Sequence, residues 1–269
     1  DITTIMLWIG GQVTAANIIT SVFLPSVVCA IVPLIYLTFR LKGDITRPVN
    51  VESKEHYTDP TTPFERNLIF YMGVVGLLFV PVFKTVTHLP PYVGMLLSLG
   101  VLWLVTEILH RSKNHEQKSA LSVIGVLKKI DVPTIFFFLG ILLAVASLQS
   151  AGQLDIVATF LDKTFNGDIY IINIIIGLLS SIVDNVPLVA GAMGMYEIAP
   201  MGEFAVDGKF WEFLAYCAGT GGSVLIIGSA AGVAVMGILK IDFIWYMKNI
   251  SLLALMGYLA GAATYIFMQ

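Results

Sequence analysis

Ser180-Ser181-Ile182-Val183-Asp184-Asn185-Val186-Pro187-Leu188-Val189-Ala190 places a carboxylate, an amide and two hydroxyls inside an apolar run, followed by a proline. The flanks, 169–179 and 188–195, are hydrophobic enough to lie in a bilayer. An acid there is costly, so Asp184 is a functional candidate by default. Pro187 has no N–H and cannot sit inside a regular helix. On a continuous helix, Ser180 and Asp184 share one face and Ser181 and Asn185 another. Pro187 then frees the carbonyl of Val183. Carboxylate, amide, hydroxyl and carbonyl oxygens together suit a small hard cation. The structural alternative is an Asp184 ion pair that holds the fold. No Lys or Arg lies in the adjacent apolar segments.

Composition fixes the setting. The chain is 57% hydrophobic and 12% charged, with a mean hydropathy of +0.86. That excludes an ordinary soluble domain. A net charge of -3 gives no reason to expect a nucleic-acid partner. Cys29 and Cys217 have neither metal-ligand nor redox spacing and read as small core residues. No motif calls for a cofactor.

Apolar runs near the ~20 residues of a spanning helix occur at 15–39, 67–87, 90–109, 132–150 and 244–267. Thr3 to Gly10 is too short to span and fits half of a broken helix. Two further apolar pieces, 169–196 and 211–239, are interrupted by Gly, Pro or polar residues, with a turn at Ala199-Pro200-Met201-Gly202-Glu203. Discontinuous segments point to the binding region of a secondary transporter. The expected fold is an all-α polytopic membrane protein. Ser119–Ile130 and Gln153–Phe165 have the spacing of helices lying in the interface. Lys42–Arg66 is polar and proline-bearing, a loop.

Ten of the 15 Lys and Arg fall in 40–66 and 111–129, two crossings apart. Both loops are therefore expected on the cytoplasmic side of an inner, plasma membrane, with the C-terminus outside. The chain opens on Asp1-Ile2-Thr3-Thr4 without Met or a leader, which predicts a piece of a longer protein.

Other polar groups rank behind Asp184. Gly219-Thr220-Gly221-Gly222-Ser223 and Gly228-Ser229-Ala230-Ala231-Gly232 read as a second hairpin facing the first, with Gly221 and Gly222 as hinges beside Pro187. Three glycines in four residues make a poor helix. The alternative for Gly228 and Gly232 is small-residue helix packing. Asp1 and Thr3 start a half-helix and Asp131 precedes another. Capping explains both acids equally well. Trp8, Trp103, Trp211 and Trp245 fit interface anchors. His88 and His110 sit at helix ends and carry the lesser expectation of sensing pH.

Val183-Asp184-Asn185-Val186-Pro187, the glycine run 219–232 and Asp1-Ile2-Thr3-Thr4-Ile5-Met6-Leu7-Trp8 together resemble the NhaD-type sodium/proton antiporters. These belong to the ion transporter superfamily, with arsenite permeases and divalent-anion/sodium symporters. The resemblance implies two inverted repeats, each with a re-entrant hairpin and a broken helix. Residues 1–40 would end the first repeat, 41–66 form a cytoplasmic loop and 67–269 make the second. The polar positions it carries over are Asp1, Thr3, Thr134, Ser180, Asp184, Asn185 and Ser223, with Ser229 standing where Asp1 stands in the first repeat. It implies exchange of sodium, with lithium as a second candidate, for protons. Sodium would sit at Asp184 and Asn185, in a protein of pH homeostasis and salt tolerance that a homodimer would suit. The alternative is a symporter or permease for an oxyanion. An intramembrane aspartyl protease would need Gly-x-Gly-Asp and a zinc protease His-Glu-x-x-His. The sequence has neither.

Overall fold

The structure, a computed structural model, describes residues 2–41, 61–114, 121–128, 130 and 132–269. At 133, 134, 137, 138, 141, 230, 231, 233, 234 and 238 it describes the backbone alone. The described elements are helices, joined by turns and one isolated bridge between Ala199 and Ala205. The described residues of Asp1–Asp44 and Phe136–Gln269 form one compact unit, and those of Ile45–Ile135 a second.

In the first unit, α1 (Ile2–Gly10) is the expected half-helix. Gly11, at φ +86°, turns the chain, and Thr14 caps α2 (Ala15–Arg40) by accepting from the Asn17 amide. α2 contains Pro25 and Pro33. Pro33 denies the Cys29 carbonyl its helical partner. α13 (Ser251–Met268) lies against these places, antiparallel to α2. A Cβ on Gly257 would fall 2.4 Å from the Cys29 carbonyl oxygen, and one on Gly261 2.5 Å from that of Pro25. Small residues permit this approach, and packing of this kind holds helices together in lipid. Gly261→Ala is therefore expected to destabilise the protein by about 1–3 kcal/mol. Gly140→Ala, with nothing within 4 Å, is the neutral control, and the check is thermal unfolding in detergent.

α6 (Val132–Ser150) matches its predicted range. After Gly152, at φ +69°, α7 (Gln153–Phe165) turns away, and the segments Leu142–Ser150 and Gln153–Phe165 meet at 79°. Ile169–Leu179 is α8, capped by Asp168 on the amides of Tyr170 and Ile171. Asn185–Met195 is α9, Lys209–Gly221 α10 and Ala230–Leu239 α11. The helix expected over 244–267 is two: α12 (Phe243–Asn249), capped by Asp242, and α13. Trp211 is fully buried and donates to the Phe204 carbonyl at 2.9 Å, so it is a core residue and no interface anchor. Its ring meets those of Phe204 and Phe210 edge-on.

In the second unit, α3 (Pro63–Thr87) opens with a reciprocal capping box between Thr62 and Glu65 and closes on His88 in the left-handed region. A short turn leads to α4 (Pro91–Leu109), and Ser98 donates to the Gly76 carbonyl across this hairpin. Of the interface helix expected over 119–130, the described residues hold α5 (Val123–Leu127), with a bend at Ser122 before it. α2, α3, α4 and α13 are each long and apolar enough to cross a membrane.

Candidate functional site

The segment 180–190 does not hold one helix. α8 ends at Leu179, the amides of Ser181 and Ile182 tighten onto Leu178 and Leu179, and the chain opens at Asp184. Asp184 then caps α9, its Oδ1 accepting from the Val186 amide at 3.2 Å. Pro187 is thereby the third residue of a new helix, where a missing N–H is harmless. This corrects the expected i,i+4 faces. The Ser180 hydroxyl donates to the Ala218 carbonyl at 3.1 Å and the Ser181 hydroxyl to that of Leu178 at 2.6 Å. The freed carbonyl survives the correction. Val183 now stands one residue ahead of the α9 cap, so its carbonyl lies outside the helical ladder whatever residue occupies 187.

The second break meets the first. α10 runs through Gly219 to Gly221, against the expectation that glycine density would end it earlier. Tertiary packing overrides propensity here. A Cβ on Gly221 would lie 1.9 Å from the Gly177 carbonyl oxygen, so only glycine lets α8 and α10 touch backbone to backbone. Residues 222–229 then cross the α8–α9 break. The Gly228 amide donates to the Ser181 carbonyl at 3.2 Å. A Cβ on Gly228 would sit 1.7 Å from the Ser180 carbonyl oxygen and 3.0 Å from that of Val183. Buried Ile226 is held at φ +62°. For a β-branched residue that is a strained conformation, costing about 1–3 kcal/mol.

Asp184, the Ser180 and Val183 carbonyls, Gly221, Gly222 and Gly228 thus belong to one crossing. Asp184 and Asn185 are half-buried at the start of α9, and among the described residues Asp184 has no ion pair. Ser229 caps α11 by accepting from the Gly232 amide. Ser223 is exposed, and its carbonyl accepts from the Tyr246 hydroxyl. Thr3 is buried on α1, which packs against α9 and α10. Asp1, Asp131 and the Thr134 side chain lie outside the described residues. The C-terminal ends of α8 and α10 bring carbonyl oxygens to the crossing, and α9 and α11 bring their N-termini. The first can hold a cation and the second favour negative charge, including that of ionised Asp184.

Two buried polar residues escaped the sequence reading. Glu212, on α10, is 4% exposed, and Asn173, on α8, is fully buried. Asn173 donates to the Phe210 carbonyl, and its Oδ1 has no partner. Each interrupts an apolar run, the signal that marked Asp184. His110, expected at the interface, is 6% exposed, with neither ring nitrogen hydrogen-bonded, and lines a cavity of about 360 Å³ with Glu65 and Thr106. Burial first, and the Lys113 ammonium second, hold its imidazole below the usual histidine range. The unfolded chain then binds a proton that the folded one refuses, so stability falls as pH drops through about 6.5. His110→Gln is expected to flatten the fall in unfolding temperature between about pH 7 and 5. An unchanged slope would remove His110 from the account.

A family model described as "Citrate transporter" matches residues 2–212. The chain belongs to the citrate transporter family. It is 46% identical over 268 residues to "Sodium/proton antiporter 1" of Arabidopsis thaliana, covering 99% of this chain and 45% of that protein. It is 41% identical to "Sodium/proton antiporter 2" of the same plant, over 99% of this chain and 62% of the relative. "Na(+)/H(+) antiporter NhaD" of Vibrio cholerae is 30% identical, over 100% and 57% respectively. The chain spans about half the length of these relatives. No solved structure matches it. The resemblance to NhaD-type proteins within the ion transporter superfamily is borne out, and so is an all-helical, multi-pass membrane fold.

Proposed function

We propose that this chain carries the exchange core of a secondary transporter, which moves sodium one way and protons the other, with lithium as a second substrate. The observation that carries this reading is the Asp184 carboxylate at the crossing of two helix breaks, beside the carbonyl of Val183, which lies ahead of the α9 cap and outside the helical ladder. A bound cation needs the carboxylate ionised, and a bound proton neutralises it. One group therefore binds a sodium ion or a proton but not both. Neutralised either way it can change sides, and bare it stays put. Alternating access then couples the two fluxes in opposite directions. Asn185 supplies an amide oxygen beside the same ion. The names of the three relatives support exchange of these ions. The role is transport and not catalysis.

The inverted-repeat division belongs to this proposal: Asp1 and Thr3 fall to the first repeat's half-site, and Thr134 to the second repeat with Asp184. So does the sidedness, with loops 40–66 and 111–129 cytoplasmic at an inner membrane and the C-terminus opposite. The family description supports a second reading, a carboxylate-bearing anion held by the N-termini of α9 and α11. Asp184 repels such a ligand, which puts exchange first.

Everted vesicles from cells making the full-length protein, loaded with a pH dye, separate the two. Sodium and lithium are expected to move the dye, and potassium and citrate to leave it still. A response to citrate with none to sodium would reverse the order.

A further inference from the structure

Glu212 lies in the first turn of α10, away from the crossing. Gly221, at the far end of α10, is nine residues on, about 13 Å along the helix. The Glu212 carboxylate accepts from the Tyr265 hydroxyl at 2.7 Å, from Gln269 Nε2 at 3.4 Å and from Asn17 Nδ2. These partners come from α13, the chain end and α2, and all are neutral. The titratable groups around the network are otherwise committed. Lys209 directs its ammonium to the Gln269 main-chain oxygen at 3.3 Å. The Asp207 carboxylate accepts from the amide and hydroxyl of Thr14. Tyr170, on α8, and Cys217, on α10, pack in one cluster with Tyr265. Cys29, on α2, faces Tyr216. Among the described residues no cation pairs with Glu212.

A buried carboxylate kept for structure is best held by Arg, Lys or backbone amides, which favour the ionised state alone. Tyr265 is different, because its hydroxyl also reaches the Lys209 carbonyl, at 3.3 Å. A hydroxyl has one donor and two acceptor lone pairs. When Glu212 is ionised, Tyr265 donates to it. When Glu212 is protonated, Tyr265 can donate to Lys209 and accept the carboxyl hydrogen. Neither state strands a buried polar group, which would cost about 1–3 kcal/mol.

We propose that Glu212 is a second proton-binding site, separate from Asp184, that gains and loses a proton as the transporter changes state, with the Tyr265 hydroxyl as its switch. Its place in the cycle rests on the exchange reading, and its protonation can be tested alone. α10 joins the two sites. Glu212 holds the head of α2 at one end, and the glycine contact with α8 lies at the other.

The test is sodium-induced infrared difference spectroscopy on the full-length protein in lipid. Two protonated-carboxyl bands are expected to change when sodium is added. Glu212→Gln should remove one and Asp184→Asn the other. Tyr265→Phe takes a donor from ionised Glu212, so its band should persist to a pH higher by about one unit. A Glu212→Gln spectrum with every wild-type band would overturn the proposal. Should that variant fail to fold, an unmoved pH midpoint in Tyr265→Phe overturns it instead. If Glu212→Gln loses a band while Asp184→Asn loses none, Glu212 stands and the reading of Asp184 falls.

Discussion

Asp184→Asn is expected to abolish sodium-driven proton movement in vesicles while the protein still inserts and folds. Asp184 does two things that this substitution separates. Its Oδ1 caps α9 by accepting from Val186, and Asn caps helices about as well as Asp. The break and its crossing with residues 222–229 should therefore survive, with an unfolding temperature near that of the wild type. The charge does not survive. A carboxylate about 4 Å from a cation at an effective dielectric near 20 supplies of order 4 kcal/mol, roughly a thousandfold in affinity. The amide also has no titration to exchange. Loss of dye response at normal expression is the expected pair of results, and retained exchange would remove Asp184 from the mechanism. Asp184→Ala makes a useful contrast, since it also loses the cap and should destabilise the protein by about 1 kcal/mol.

Gly228→Ala should be the most damaging of the small substitutions. The added methyl would lie 1.7 Å from the Ser180 carbonyl oxygen. The obstacle is backbone, so no side chain can swing away. Either the two breaks separate, or Ser180 gives up its 3.1 Å bond to Ala218. Overpacking of this kind costs about 1–3 kcal/mol and sometimes more. Here it falls on the carbonyls proposed to face the ion, so transport should fail even in protein that folds. Gly237→Ala, with open space around it, should be neutral or slightly stabilising, since alanine is the better helix former. Expression, unfolding temperature and exchange measured on both variants check this. A Gly228→Ala protein with full activity would show that the breaks need not touch.

The spanning helices were legible because apolar length alone defines them, and α2, α4 and α6 lie within a residue or so of their predicted ranges. The breaks were legible because Gly, Pro and Asp cannot all sit inside one helix. Their detail was not. Whether Pro187 kinks a continuous helix or follows a restart at Asp184 depends on the capping bond to Val186, which a residue pattern does not distinguish from a kink. The contact of Gly228 with Ser181 joins residues far apart in the chain, and local pattern carries no such term. The same holds for Glu212, whose partner Asn17 is 195 residues away. Trp211 was misplaced because a tryptophan near a segment end reads as an interface anchor until something covers it. Phe204, from a loop, and Phe210, its neighbour on α10, do so. The final split at Ile250 has no proline or glycine, and the polar residues Lys248, Asn249 and Ser251 around it are also what a helix end at the membrane surface would carry, so they did not show that the chain breaks there.

The central claim is that one carboxylate takes sodium and proton by turns. Sodium binding to the purified full-length protein, titrated across pH, tests it most directly. The apparent sodium dissociation constant is predicted to rise about tenfold for each unit of pH below the carboxyl titration, as direct competition requires. Asp184→Asn is predicted to bind weakly at every pH. A wild-type constant that does not change with pH, or an Asp184→Asn protein that keeps both the affinity and its pH dependence, would contradict the account.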